Sequence, residues 1–320
     1  MKRLTDWLVY LVVRVAISIV QALRLDTCQQ LAQFLSYMAC DVLRVRRLVV
    51  EDNLRQACPE LSPLQRRTLI RRMWEHLVLM VCEIAHAPRC VHDTNWRDYF
   101  QIHRKQEFVR YLLERRPVVL VSGHFGNFEI TLYAAGLLGF STHAIARRLD
   151  NPWLDRWINA IRSVRGQFIL PKDGSAGEVD AVLRRGGIIA LLGDQHAGAK
   201  GCWVEFLGRP ASCHKAVALL ALVSGAPLLV SYGKRTTGPL HFEFGLEGVA
   251  DPQRLDPGVA DVRSLTQWYH DALARLVRSA PEQYWWVHRR WKGEPPRKRS
   301  RPPAAVPGAG ATGDVRRPAA

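Results

Sequence analysis

Residues Val118 to Glu129, VVLVSGHFGNFE, set an imidazole at His124 five positions ahead of a carboxylate at Glu129. Histidine titrates near neutral pH, and an imidazole held through one nitrogen by a carboxylate leaves the other nitrogen free to take a proton from a hydroxyl. On a regular helix, positions five apart point about 140° away from each other. His124 must therefore sit in a turn, ahead of the helix, for Glu129 to fold back onto it. The alternative is a core or capping histidine beside a first-turn acid that suits the helix dipole. Both readings need the same scaffold. Val118 to Val121 read as a buried strand, Gly123 and Gly126 loosen the turn, and a helical pattern resumes from Glu129 to Leu138.

The elements that must position this pair alternate. Strands are expected near Val118–Val121, His143–Ala146, Phe168–Leu170, Ile188–Leu192 and Leu228–Tyr232, with helices near Asn151–Val164, Ser175–Arg185 and Lys215–Ser224. Ser62, Pro63 and Gln65 form a capping box with proline at the first helical position. It opens a long amphipathic helix on which Leu69, Ile70, Met73, Trp74, Leu77, Val81 and Ile84 recur at helical spacing. Ser175 and Glu178 read as a second capping box, and Gly186 and Gly187 end that helix. Strand–helix alternation implies an α/β fold, a mostly parallel sheet flanked by helices, with sites at the carboxyl ends of the strands. His124, Arg147 and Asp194 all fall at such ends. Arg147 carries a planar fork suited to phosphate or to a developing oxyanion, or is a surface arginine at a helix start. Asp194 would position Arg147 or a substrate hydroxyl, or is a turn aspartate. Asn127 would order the His124 turn or cap the following helix.

The run Gly123 to Glu129 resembles the H-x4-[D/E] signature of glycerolipid-type acyltransferases. It is most similar to the Asn-His-x-Gly-Asn-x-Glu form of the late lipid A (lauroyl/myristoyl) acyltransferases. Further segments resemble that family in the same order: Val50 to Arg55 with Cys58 to Ser62, Arg147 to Pro152, Gly193 to Gln195, and Pro281 to Lys292. Two positions depart from it. Gly123 stands where Asn is frequent, and Arg148 where Pro commonly follows the arginine. The resemblance implies an acyltransferase domain over residues 25–292. There His124 is the base oriented by Glu129, with Arg147, Asp194 and Asn127 contacting or ordering substrate and no metal or cofactor. The donor would be an acyl-carrier protein or coenzyme A thioester, with the carrier favoured. The acceptor would be a lipid A precursor, a related glycolipid or a lysophospholipid. The expected protein is a monomer on the cytoplasmic face of the inner membrane; a non-catalytic membrane scaffold with the same fold is the alternative.

Composition agrees with a membrane neighbour. The formal net charge of +16 on 320 residues calls for a polyanionic partner. No zinc-finger, helix-turn-helix or RNA-binding signature accompanies the charge, so nucleic acid is the weakest candidate. Trp7 to Leu23 is apolar apart from Arg14, Ser18 and Gln21 and would extend about 26 Å as a helix. Residues 1–24 are therefore expected to be a retained anchor, spanning or interfacial, with Arg3, Tyr10, Arg14, Ser18 and Gln21 along one stripe. A buried core helix is the alternative. Tyr284, Trp285, Trp286 and Trp291 beside His288, Arg289, Arg290 and Lys292 read either as an interfacial belt or as a closing strand of the core. Residues 293–320 form a basic, Pro-rich tail expected to be disordered. The seven cysteines are odd in number and irregularly spaced, which favours free thiols.

Overall fold

The chain begins with a layer of helices. In the computed structural model, which describes residues 2–254 and 261–296, α1 (Lys2–Ala22) and α2 (Leu25–Tyr37) precede a π-helical turn at Met38–Val42. α3 (Arg47–Ala57) and α4 (Pro63–Cys90) follow. α4 starts as its sequence dictates. The Ser62 side chain accepts from the Gln65 amide at 3.3 Å, and the Gln65 side chain accepts from the Ser62 amide at 2.8 Å. Leu69 and Met73 of its expected apolar stripe are buried, whereas Val81 is exposed; the polar His76, Glu83 and His86 are buried instead.

The rest alternates. A one-turn helix α5 (Trp96–Tyr99) leads to β1 (Phe100–His103), α6 (Lys105–Leu113), β2 (Val118–Ser122), α7 (Phe128–Leu137), β3 (Thr142–Ala146) and α8 (Pro152–Ser163). Then come β4 (Gln167–Pro171), α9 (Ala176–Arg184), β5 (Ile188–Leu192), the hairpin β6 (Cys202–Phe206) and β7 (Arg209–Cys213), α10 (Ala216–Ser224), β8 (Leu228–Arg235), β9 (Phe242–Ala250) and α11 (Val262–Ser279). Seven strands form one sheet in the order β1-β9-β8-β2-β5-β3-β4. The neighbours β8, β2, β5, β3 and β4 run parallel, and β9 pairs antiparallel with β8. This is the mostly parallel α/β sheet that alternation implied. Both faces are covered, as parallel sheets require. Val119, Val121, Ile189, Leu228 and Val230 join the core built with α11, while Val118, Leu120, Ile188, Ala190 and Leu229 meet Phe108 and Tyr111 of α6.

One local expectation fails, and one pair of alternatives is resolved. Ser175 does not cap α9, because its hydroxyl donates to the Pro171 carbonyl instead. Tyr284 and Trp286 are buried and Arg290 is 1% exposed, so the carboxyl-terminal aromatic run is not an interfacial belt. It closes the core through an isolated bridge from Tyr284 to Phe125. From residue 297 onward, the expected disordered tail lies outside the described residues.

Among the described residues, α1 alone is long and apolar enough to cross a membrane, with a mean hydropathy of 1.6 and no buried residue. Tyr10, Arg14 and Gln21 of its polar stripe face protein, while Arg3 and Ser18 are exposed. Asn151 donates to the Asp6 carbonyl at 2.7 Å, Tyr10 and Arg14 meet Trp153 and Trp157 of α8, and Gln21 donates to the Ala85 carbonyl of α4 at 2.8 Å. Leu4, Leu8, Val12, Val15 and Ile19 face outward.

Candidate active site

β2 and β5 lie side by side in register, Ser122 opposite Leu192, so the residues that follow each strand meet at the carboxyl edge of the sheet. After β2 the chain turns through Gly123 to Asn127, and after β5 it turns at Gly193 and Asp194. The Gly193 amide bonds the Ser122 carbonyl at 2.8 Å and locks the two turns together. Gly126 takes φ +60 where any Cβ would collide with the Gly233 carbonyl, so only glycine carries the chain past β8 here.

His124 and Asp194 are joined twice. The His124 ring Nδ1 stands 2.7 Å from Asp194 Oδ1, and the His124 backbone amide donates to Oδ2 at 2.8 Å. Asp194 is 3% exposed and the His124 side chain 11% exposed. Burial alone would raise the Asp194 carboxyl. The His124 charge, its two hydrogen bonds and the nearby Arg290 outweigh that and hold it below the usual carboxylate range. An ionised Asp194 accepts the Nδ1 proton and leaves Nε2 as the acceptor, where the Gln195 amide nitrogen lies at 3.2 Å. Phe128 and Trp285 fix the ring from the sides, with centroids at 5.1 and 4.9 Å, and the Trp285 amide bonds the His124 carbonyl at 3.0 Å. Asp194 also faces the buried Tyr284. Burial first, and then the Asp194 charge, keep that phenol well above its ordinary range.

The carboxylate expected to orient His124 lies elsewhere. Glu129 stands in the first turn of α7, and both its oxygens are taken by Arg162 of α8, at 2.5 and 3.1 Å. Its place is filled by Asp194, seventy residues along the chain. Arg147, at the end of β3, is exposed and pairs with the equally exposed Asp150 at 2.8 Å, so Asp194 does not position it. Asn127 is a cap, accepting from the Ile130 amide at 3.3 Å, and its side-chain nitrogen donates to Glu83 at 3.0 Å.

That bond leads into a buried ionic cluster under the turn. Glu83 has no exposed surface and receives Arg235 of β8 through both oxygens, each at 2.6 Å, together with the Leu240 amide. Arg235 also donates to His76 Nδ1 at 2.7 Å, and His76 Nε2 donates to the Gly126 carbonyl at 3.2 Å. Burial, then Arg235, push the His76 imidazole down to about 3, so it stays neutral and bridges the arginine to the turn. Composition and motif spacing did not single out His76, Glu83, Arg162 or Arg235, and gave Trp285 only a place in the carboxyl-terminal aromatic run. The one available signal was two polar residues seven apart, His76 and Glu83, on the buried stripe of α4.

The seven cysteines are free, and among the described residues no group of three His, Cys, Asp or Glu side chains is placed to hold a metal ion. Cys213 and His270 belong to a different buried cluster. Arg290 donates to the Ser212 carbonyl and to the Cys213 sulfur, both at 2.8 Å, and lies 3.2 Å from His270 Nε2.

A parallel-sheet edge bearing a partly buried histidine, its tautomer fixed by a buried carboxylate, has the equipment of a base-catalysed group transferase. Comparison with known proteins gives the family. Residues 1–293 match the family described as "Bacterial lipid A biosynthesis acyltransferase". The lipid A biosynthesis lauroyltransferase of Escherichia coli (strain K12) is 24% identical over 299 residues, 90% of this chain and 92% of that protein. The lipid A biosynthesis palmitoleoyltransferase of the same strain is 22% identical over 264 residues, 81% of this chain and 82% of its own length. The 1-acyl-sn-glycerophosphate (LPA) acyltransferase PlsC from Thermotoga maritima aligns over 82% of this chain and 99% of its own with a TM-score of 0.39 and 13% identity, too loosely to carry any feature across. The chain belongs to the bacterial lipid A biosynthesis acyltransferase family and is an acyltransferase.

Proposed function

We propose that this protein moves a fatty acyl chain from a thioester donor, an acyl-carrier protein or coenzyme A, to a hydroxyl of a lipid A precursor, with His124 as the base. The supporting observation is the 2.7 Å contact of His124 Nδ1 with Asp194, which leaves Nε2 as the accepting nitrogen, beside the exposed Gln195 at 3.2 Å. As the acceptor oxygen attacks the thioester carbon, a C–O bond forms and Nε2 takes the hydroxyl proton. The C–S bond then breaks and the proton passes to the departing thiolate. No acyl-enzyme is needed. Glu129 contributes through Arg162, which it holds at the start of α7, and Arg147 meets an acceptor phosphate from the exposed end of β3. A basic surface speeds encounter with either anionic donor.

The protein works at the cytoplasmic face of the inner membrane, lying in the interface rather than crossing it. α1 is fixed to the domain at Asp6, at Tyr10 and Arg14, and at Gln21, which spans its whole length, and only its apolar side is free to enter lipid. His124→Ala tests the chemistry. Thioester consumption should fall by about 10² to 10⁴ with an unchanged unfolding temperature; near-normal turnover would remove His124 as the base.

A further inference from the structure

We propose that the groove between the α2–α3 connection, α3 and the first turns of α4 binds the phosphate-bearing headgroup of an anionic phospholipid. The site is separate from the His124 edge, and it rests on the interfacial reading given above.

The groove encloses about 560 Å³, within the range of small-ligand sites, roughly 300–1,000 Å³. Arg44, Arg47, Arg55, Arg66 and Arg67 line it against two carboxylates, Asp41 and Glu51. Each carboxylate is already shared between two arginines. Asp41 receives Arg67 and Arg71, both at 2.6 Å, and Glu51 receives Arg47 at 2.7 Å and Arg55 at 3.6 Å. Positive charge is therefore in excess. The Arg44 side chain has no hydrogen-bond or ion-pair partner among the described residues, and its backbone is held at φ 51, in the left-handed region. The amino end of α4 opens on the same groove through Pro63 and adds its positive dipole.

The surroundings identify the kind of anion. Leu64, 75% exposed, and Val45 line the groove beside these arginines, and Val42, Leu43 and Leu48, chain neighbours of Arg44 and Arg47, are 52%, 67% and 83% exposed. Guanidinium groups sharing a groove with exposed aliphatic side chains suit an amphiphile, with phosphate on the arginines and acyl chains against the aliphatic side chains. A soluble phosphate would use the arginines and leave the apolar rim in water. An acidic protein would pair with the charges but gain nothing from the concavity. α3 links this groove to the wall of the catalytic edge. One face presents Arg47, Glu51 and Arg55, while Arg46 and Asn53 on another face grip the Val287, Trp286 and His288 carbonyls, next to the Trp285 that packs on His124.

The test is vesicle co-sedimentation of the full chain, with phosphatidylcholine alone and with phosphatidylglycerol added. Each basic residue at an anionic surface contributes about 1 kcal/mol, a factor of about five. Arg44→Gln with Arg55→Gln should therefore lose roughly 25-fold of the binding to anionic vesicles and keep the binding to neutral ones. Arg184→Gln with Arg263→Gln, equal in charge and away from the groove, should stay within twofold of the parent. Equal losses in both pairs would mean diffuse attraction and overturn the site. So would inorganic phosphate that binds the parent and not the groove variant while vesicle binding is unchanged in both, or a groove variant that loses binding to an acidic carrier protein alone. Val12→Glu with Val15→Glu tests the interfacial reading separately. If that variant binds neutral vesicles as well as the parent does, the interfacial reading fails, whatever the groove variants show.

Discussion

Asp194→Asn separates the two candidate partners of His124. The replacement keeps shape and volume but offers one acceptor oxygen where the carboxylate offered two. In the native site those two oxygens meet the His124 backbone N–H at 2.8 Å and Nδ1 at 2.7 Å. A backbone amide can only donate, so the remaining oxygen turns to it and the new NH2 group faces Nδ1. The imidazole must then present a lone pair at Nδ1 and carry its proton on Nε2, the atom that has to accept one from the acceptor hydroxyl. Losing the base costs about 10² to 10⁴ in rate, or roughly 2.7 to 5.4 kcal/mol of barrier at 1.36 kcal/mol per tenfold. KM should change little, because Asp194 is 3% exposed and out of substrate's reach. Initial rates of thiol release from an acyl thioester, measured with purified protein in detergent, give both constants. Glu129→Gln is the companion variant. It weakens the hold on Arg162 but leaves the tautomer intact, so its loss of kcat should be smaller. An Asp194→Asn enzyme within threefold of the parent, with Glu129→Gln showing the full loss, would refute this assignment.

Glu83→Gln should destabilise the fold by about 3–5 kcal/mol, since it strips a buried guanidinium of its carboxylate; urea unfolding measures this, and a change under 1 kcal/mol would contradict it. The buried imidazoles set an acid limit. Burial first, then a neighbouring arginine at His76 and His270, push these down to about 3, and burial, against the opposing Asp194 charge, pushes His288 to about 4. With the folded values below the ordinary 6.5, the unfolded chain binds more protons between about 6.5 and 3, so this stability is full above pH 6.5 and drains away as pH falls. Unfolding temperatures from pH 7.5 to 5 should decline, and a flat profile would exclude the effect. Arg147→Ala should leave stability within about 0.5 kcal/mol, and should slow phosphorylated acceptors more than unphosphorylated ones. Equal losses would rule out the phosphate contact.

The central sheet was legible because its signals are local. Val118–Val121 of β2 and all of β5 are apolar runs that lead into glycine, and α7 and α8 carry asparagine caps. β9 escaped because Gly245 and Gly248 dilute its pattern, and the short β1, β6 and β7 lack runs long enough to register. The turn bearing His124 could be placed, but its partner could not. Spacing favours whatever carboxylate is near in sequence, and only sheet register shows that the residue after β5 arrives beside the residue after β2. The carboxyl-terminal tryptophans stayed open between two readings for a related reason. Aromatic rings among basic residues look alike whether they meet lipid or a protein interior, and only the bridge from Phe125 to Tyr284 decides between them.

The way α1 is attached governs what truncation can achieve. A tethered anchor can be cut away to leave a soluble enzyme, but this helix packs its own polar edge on Trp153, Trp157 and part of the α4 surface. Removing residues 1–24 would exchange one greasy surface for another, so a shortened protein should clump rather than dissolve. Extraction with mild detergent, leaving the helix in place, is the route to a tractable sample.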